Sequence, residues 1–156
     1  VRGIETDVLP TCREYGMGVI PWSPLAGGWL SGKWRHGAEN SSRRSAMVPQ
    51  RYDLTRVENQ RKLDAADALA VLAEKAGITL VHLAVAWVIN HPSVTSAIIG
   101  PRTMEQLETQ LGATDVRLDD ATLDAIDEIV PPGTNFSWAD AGYTPPSIAN
   151  ATTRRR

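Results

Sequence analysis

Cysteine is almost absent from this chain. A single residue, Cys12, can close no intrachain disulfide and build no cysteine metal cluster. It fits a reducing compartment, so a cytoplasmic protein is expected. Excess positive charge is absent too. Sixteen Lys and Arg stand against eighteen Asp and Glu, and a formal net charge of -2 removes the electrostatic case for nucleic acid as a partner. The arginines at the end, Arg154, Arg155 and Arg156, are a local exception and read as a solvated tail. No apolar run reaches the ~18–20 residues of a membrane-spanning helix. The first residues lack a basic segment followed by an apolar core, so neither a membrane partner nor a signal peptide is expected. There is no internal repeat and no low-complexity block. What is left, 42% hydrophobic and 22% charged residues over 156 positions, is the balance of one globular domain.

The most informative stretch begins at Gly18-Val19-Ile20-Pro21-Trp22, a short apolar run suited to a strand buried on both faces. Pro24 ends any ladder because it has no N–H to give. A turn built on Gly27, Gly28 and Gly32 follows, where backbone amides can approach and face another group. Ser23 and Ser31 add hydroxyls, and Lys33 closes the loop with a cation. Two readings fit: an anion cradle, or a tight surface turn that happens to end in lysine.

Around this stretch the pattern is mostly helical. Ile4 to Tyr15 reads as a short helix with Gly16 as its stop, and Pro10 must sit in a first turn or break it. Trp34 to Tyr52 is polar and basic without a period, and reads as a long loop. Leu54 to Lys75 carries Leu63, Ala66, Leu69, Ala70 and Ala73 at helical spacing, stopped by Gly77. Thr79 caps a helix to about Asn90, closed by His91-Pro92. The run Val94 to Gly100 is a second buried-type strand. Thr103 caps Met104 to Leu111, and Asp119 or Asp120 caps Ala121 to Val130, which Pro131-Pro132-Gly133 stops. Residues 134–156 read as an irregular C-terminal loop and tail. The order is that of an α/β protein. His82 and His91 read as a solvated helix-face residue and a cation at a helix C-terminus rather than as catalytic bases.

The wording Trp22-Ser23-Pro24-Leu25-Ala26-Gly27-Gly28-Trp29-Leu30-Ser31-Gly32-Lys33 resembles the seventh strand and following loop of the aldo-keto reductases. It is nearest the branch that includes the potassium-channel beta subunits. Ser96-Ala97-Ile98-Ile99-Gly100-Pro101-Arg102-Thr103-Met104-Glu105-Gln106-Leu107 resembles the family's eighth strand and the start of its last barrel helix. Two motifs in the right order are far more specific than one. The resemblance runs from about Glu5 to Tyr143 and covers the C-terminal half of the family's domain. It implies a single partial domain over 1–156, the C-terminal portion of a (β/α)8 TIM barrel with two strands and their helices. The start at Val1 rather than Met then reads as a truncation, the missing half lying before it.

Carried over residue by residue, the resemblance places Trp22 against the nicotinamide ring of NADP(H). It sets Ser23, Leu25, Gly27 and Lys33 around the pyrophosphate. Arg43 ends this loop, with Arg44 a competitor because a one-residue slip is open. Gly100, Arg102 and Gln106 fall where the family holds the adenosine 2′-phosphate and adenine, against the alternative of a solvated strand-end arginine. Arg43 and Arg102 favour NADPH over NADH, because a guanidinium binds a phosphate through two hydrogen bonds. The family's Glu-Asn pair late in this helix is Thr109-Gln110 here, which weakens or reorganises the adenine contact.

The family's catalytic aspartate, tyrosine, lysine and histidine lie on its first four strands and match no position here. Tyr15, Tyr52 and Tyr143 have no neighbouring base in sequence, so no catalytic residue is assigned. The expected function is the C-terminal portion of an NADP(H)-dependent reductase of small-molecule aldehydes and ketones. Its cofactor residues are present, its catalytic residues are not, and it is inactive alone. Its expected partner is the missing barrel half or a second copy. The alternatives are a non-catalytic nucleotide-sensing module like the channel subunits, and a helical fragment without a ligand. Trp138, in Asn135-Phe136-Ser137-Trp138, is expected to line the substrate side, against packing on an outer helix.

Overall fold

The computed structural model describes residues 1–35, 43–141 and 144–154. Eight helices lie among them, in the order α1 Val8–Glu14, α2 Arg43–Met47, α3 Val57–Lys75, α4 Leu80–Ile89, α5 Met104–Leu111, α6 Asp120–Ile129, α7 Pro146–Ala149 and α8 Ala151–Arg154.

The helix ends follow the residues that the sequence supplies for them. Thr79, Thr103 and Asp119 each accept the amide three residues on, at His82, Gln106 and Thr122, and so begin α4, α5 and α6. Pro10 falls in the first turn of α1, where no intrahelical N–H is missed. At the end of α3, Gly77 takes φ +70°; its amide bonds the Glu74 carbonyl and the Ile78 amide bonds that of Ala73. That reciprocal pair satisfies two orphan carbonyls and folds Ile78 back onto the core.

The long helix α3 is the spine. Its buried face, Asn59, Lys62, Leu63, Ala66, Ala70 and Ala73, recurs at helical spacing. Toward its C-terminus, Ala70 and Ala73 meet Leu80 and Leu83 of α4 and Ile126 of α6. Small alanines here let the helices approach closely. Toward its N-terminus, Leu63 packs on Trp29, Trp34 and Tyr52. Arg2 ties the N-terminal segment to this body: its guanidinium bonds Glu5 and Asp127 and lies 4.9 Å over Trp87.

The two expected strands shrink to one parallel bridge, Trp22 with Ile98. Hydrogen bonds from the Thr95 amide to the Val19 carbonyl and from the Ile98 amide to the Pro21 carbonyl, both 2.8 Å, hold it. Pro21 has no N–H to extend the ladder, and a second strand pairs with neither segment among the described residues. Burial on both faces is also corrected. Side chains alternate along an extended chain, so Val19, Pro21, Ala97 and Ile99 are half-buried. Ile20, Trp22 and Ile98 stand on the other face, 60%, 56% and 52% exposed.

Three further expectations change. The Trp34–Tyr52 loop carries α2 and a short 3-10 turn at Pro49–Arg51, while its residues 36–42 lie outside the described ones. The helix read from Leu54 begins at Val57. The C-terminal tail, expected to be irregular, winds into a 3-10 turn at Trp138–Ala141 and into α7 and α8. Tyr143, Arg155 and Arg156 lie outside the described residues.

The core and the bare face of the bridge should answer differently to mutation. Leu83→Ala, which empties a fully buried site, should cost about 2–5 kcal/mol of unfolding free energy by urea titration. Ile98→Ser should change that stability by no more than ~0.5 kcal/mol. Light scattering should show less self-association of the Ile98 variant than of the parent, since it removes an exposed apolar side chain.

Candidate functional site

A parallel bridge sends both of its segments out of the same end. The loop that starts at Ser23 and the loop that starts at Gly100 therefore emerge side by side, although their bridge residues Trp22 and Ile98 are far apart in sequence. Trp22 sits at the base of this pair with its ring largely exposed.

The first loop is held mostly by its own atoms. Ser23, at φ +61°, accepts the Gly27 amide on its hydroxyl at 3.0 Å. The Leu25 carbonyl accepts the amides of Gly28 and Leu30. Gly27 and Gly28 have φ +69° and +104°, values at which a side chain would be strained. Beneath the loop, Tyr52 donates its hydroxyl to the Gly27 carbonyl at 2.7 Å. A Cβ at position 27 would lie 3.1 Å from that hydroxyl oxygen, a tight contact that adds to the case for glycine made by its φ. Ser23 and Gly27 thus serve the loop's shape directly. Gly28 and Gly32 face open space, where a bound group could come close. Lys33 is exposed, with no ion-pair partner among the described residues.

The second loop is capped in a similar way. Gln106 gives its amide to Thr103 and accepts the Arg102 amide on its side-chain oxygen at 2.9 Å. These two bonds occupy part of Gln106 and orient the start of α5. The Arg102 guanidinium is exposed without an ion-pair partner among the described residues, and Gly100 faces open space. Thr109 and Gln110 are both satisfied within α5, bonding the carbonyls of Glu105 and Gln106. The side chain of Arg43 lies outside the described residues. Its competitor, Arg44, brings its charge near the Tyr52 hydroxyl, on the underside of the first loop.

Below the loops lies a group the sequence did not announce. Trp29, Trp34 and Tyr52 pack against one another with ring centroids 5.0–5.6 Å apart. Lys62 reaches in from α3, 5.9 Å from the Trp29 ring, and donates to Asn59 at 3.0 Å. It also pairs with Asp140, which takes a second hydrogen bond from Arg51. Burial pushes the Asp140 carboxyl up, but hydrogen bonds and charge from Lys62 and Arg51 outweigh it and hold the group below the ordinary carboxylate range. Burial raises the Tyr52 hydroxyl, against the opposing charges of Arg44 and Arg51. A tyrosine shifted upward is a poor proton donor near neutral pH.

The histidines have structural partners. The His82 ring bonds the Thr109 carbonyl, and His91 accepts the Ser93 amide. An open polar hollow of about 450 Å³ beside Glu5, Arg13, Glu14 and His91 touches none of the expected cofactor residues. No group of three or more metal-ligating side chains forms among the described residues.

The sequence model of the aldo/keto reductase family matches residues 2–131. The chain belongs to the aldo/keto reductase family. That family's fold is the (β/α)8 barrel. Among curated relatives, the chain is 39% identical over 130 residues to an uncharacterized oxidoreductase, YrpG, of Bacillus subtilis, covering 83% of this chain and 37% of that one. It is 34% identical over 129 residues to a probable voltage-gated potassium channel subunit beta of Arabidopsis thaliana, covering 81% and 39%. Among solved structures, a glycerol dehydrogenase of Gluconobacter oxydans superposes with a TM-score of 0.69 at 26% identity, over 88% of this chain and 42% of that one. The chain thus spans less than half the length of these relatives.

The buried Lys62–Asp140 pair makes a pH prediction. A depressed carboxylate stabilises the fold above its unfolded pKa, and that contribution is lost as pH falls through the folded value. The charge that falling pH removes from this pair is that of the Asp140 carboxylate. The stability difference between the parent and Asp140→Asn should be greatest at neutral pH and vanish in acid, as read by urea unfolding at each pH. Asp140→Ala, which strands a buried lysine, should cost about 3–5 kcal/mol at neutral pH.

Proposed function

We propose that this chain carries the NADP(H)-binding portion of an aldo/keto reductase acting on small aldehydes and ketones. One observation carries the reading: the parallel Trp22–Ile98 bridge brings two loops to one end, each with an uncommitted cation, Lys33 and Arg102. In barrel enzymes of this architecture that end of the strands is where ligands bind. The open sides of Gly28, Gly32 and Gly100 leave room for a phosphate-bearing group.

In this reading Trp22 offers its exposed face to the nicotinamide. The Ser23–Lys33 loop surrounds the pyrophosphate, with Leu25 as the carbonyl hub of the turn and Gly27 fixed from below. Arg102 binds the 2′-phosphate beside Gly100, and Gln106 holds the start of α5 against the adenine. Arg43 remains the expected end of the first loop. The bound cofactor supplies hydride chemistry; this chain's residues bind it and orient it.

In a whole barrel the two segments joined at the Trp22–Ile98 bridge would stand as two of the strands. The catalytic group and the remaining strands come from a complementary segment seated against the bare face of Ile20, Trp22 and Ile98; a second copy would cover that face without supplying a catalytic group. The exposed Trp138 lies on the substrate side, in a cytoplasmic protein with no nucleic-acid or membrane partner. A second reading, a nucleotide-sensing module without turnover, is favoured by the relatives named as channel subunits.

Titration of the chain with the two reduced cofactors tests the first reading. NADPH should bind more tightly than NADH, and Arg102→Ala should lose about 1.5–3 kcal/mol of NADPH affinity while leaving NADH unchanged. Equal affinities in a folded sample would sink it. With NADPH and an aromatic aldehyde, the chain alone should oxidise no cofactor; turnover would show that its own residues suffice.

A further inference from the structure

The aromatic and charged group beneath the first loop connects two regions that the cofactor reading treats separately. Asp140 belongs to the C-terminal turn Trp138–Ala141. Its carboxylate pairs with Lys62 of α3 and accepts Arg51 Nε at 2.7 Å. Arg51 directly precedes Tyr52, and Tyr52 holds the Gly27 carbonyl. Asn59 fastens the same segment from the other side, donating to the carbonyls of Gln50 and Asp53 at 3.0 and 2.9 Å. The Lys62 and Asp140 side chains are only 9% and 14% exposed.

A buried ion pair is a weak source of net stability, because desolvation takes back much of the Coulombic gain. Its strength is conditional. With both partners in place the charges are satisfied, and with one displaced the other is stranded in an apolar setting. Lys62 deprived of Asp140 would keep Asn59 and the face of Trp29, a ring that also stacks on Tyr52. The position of the C-terminal turn is therefore felt at Tyr52 by two routes, through Arg51 along the backbone and through Lys62 and Trp29 across the stack.

We infer that Asp140 and Tyr52 are positioning residues of the glycine loop, which orders only when the C-terminal turn is docked. Asp140 sets Arg51 and Lys62, these set the ring of Tyr52, and Tyr52 fixes Gly27 and with it the amides of Gly28 and Leu30. Its consequence for ligand affinity rests on the NADP(H) reading above: undocking of the C-terminal turn weakens nucleotide binding without touching a nucleotide contact. Neither residue touches the reacting atoms.

Hydrogen exchange on the full chain, resolved to single amides, tests the linkage without any nucleotide. Asp140→Asn and Tyr52→Phe keep size and shape while removing the charge and the hydroxyl. Both should speed exchange at the Gly28 and Leu30 amides by roughly 3- to 10-fold, the equivalent of one hydrogen bond. Asp119→Ala, which uncaps α6 and weakens the fold away from the loop, should leave those two amides at the parent's rate. Asp140→Glu should restore much of the protection. Unchanged exchange in the first two variants, or an equal rise in all three, would overturn the inference. A parallel NADPH titration separates it from the cofactor reading. Faster exchange together with several-fold weaker binding supports both. Faster exchange in a chain whose parent binds no nucleotide supports the linkage and removes the cofactor.

Discussion

The parallel bridge of Trp22 with Ile98, whose backbone hydrogen bonds include those from the Thr95 and Ile98 amides to the Val19 and Pro21 carbonyls, is the whole of the sheet in the described residues. Everything that makes a site of this chain depends on it, because it aligns two motifs that the sequence keeps far apart. Parallel pairing lets both loops leave one end, and an antiparallel pairing of the same residues would send them to opposite ends. The same geometry explains the exposed apolar face. Extended segments carry side chains on both sides, and Ile20, Trp22 and Ile98 lie on the side that nothing among the described residues covers.

The helices supply the rigidity that a single bridge cannot. Along α3, small residues allow α4 and α6 to pack closely at one end, and larger ones meet the aromatic stack at the other. The glycine loop rests on that stack, so its strained turns are held from below while its upper side stays open. Rigidity beneath and space above is what a loop needs to receive a ligand with little reordering.

Much of the helical frame was legible in the sequence, because helix signals are local. Thr79, Thr103 and Asp119 each stand directly before an apolar period, and each caps the helix expected of it. The first turn of α3 was overextended because Leu54 fits the period but packs from a preceding turn. The strands were overextended for another reason: an apolar run carries no information about whether partners exist on both sides. The family was readable from two motifs in order. The support beneath the site was not. Tyr52 falls in a stretch without a period, yet its partner Gly27 lies 25 positions away, and Arg51 meets Asp140 across 89. Contacts at such separations leave no periodic trace. The spacing of Gln106 from Thr103 suits a bond at the helix start as well as a ligand role, and the fold uses it to tie the Arg102 and Thr103 ends of the turn.

A shared site requires that one nucleotide lie across both loops at once. Phosphorus NMR of NADP⁺ titrated with the chain reads its two ends separately, since the pyrophosphate and the 2′-phosphate give distinct resonances. If the Ser23–Lys33 loop and the Gly100–Arg102 loop share the ligand, both sets of resonances should move and saturate together at one stoichiometric equivalent. Movement of one set alone, or of neither in a chain whose helices are intact, would contradict the shared site.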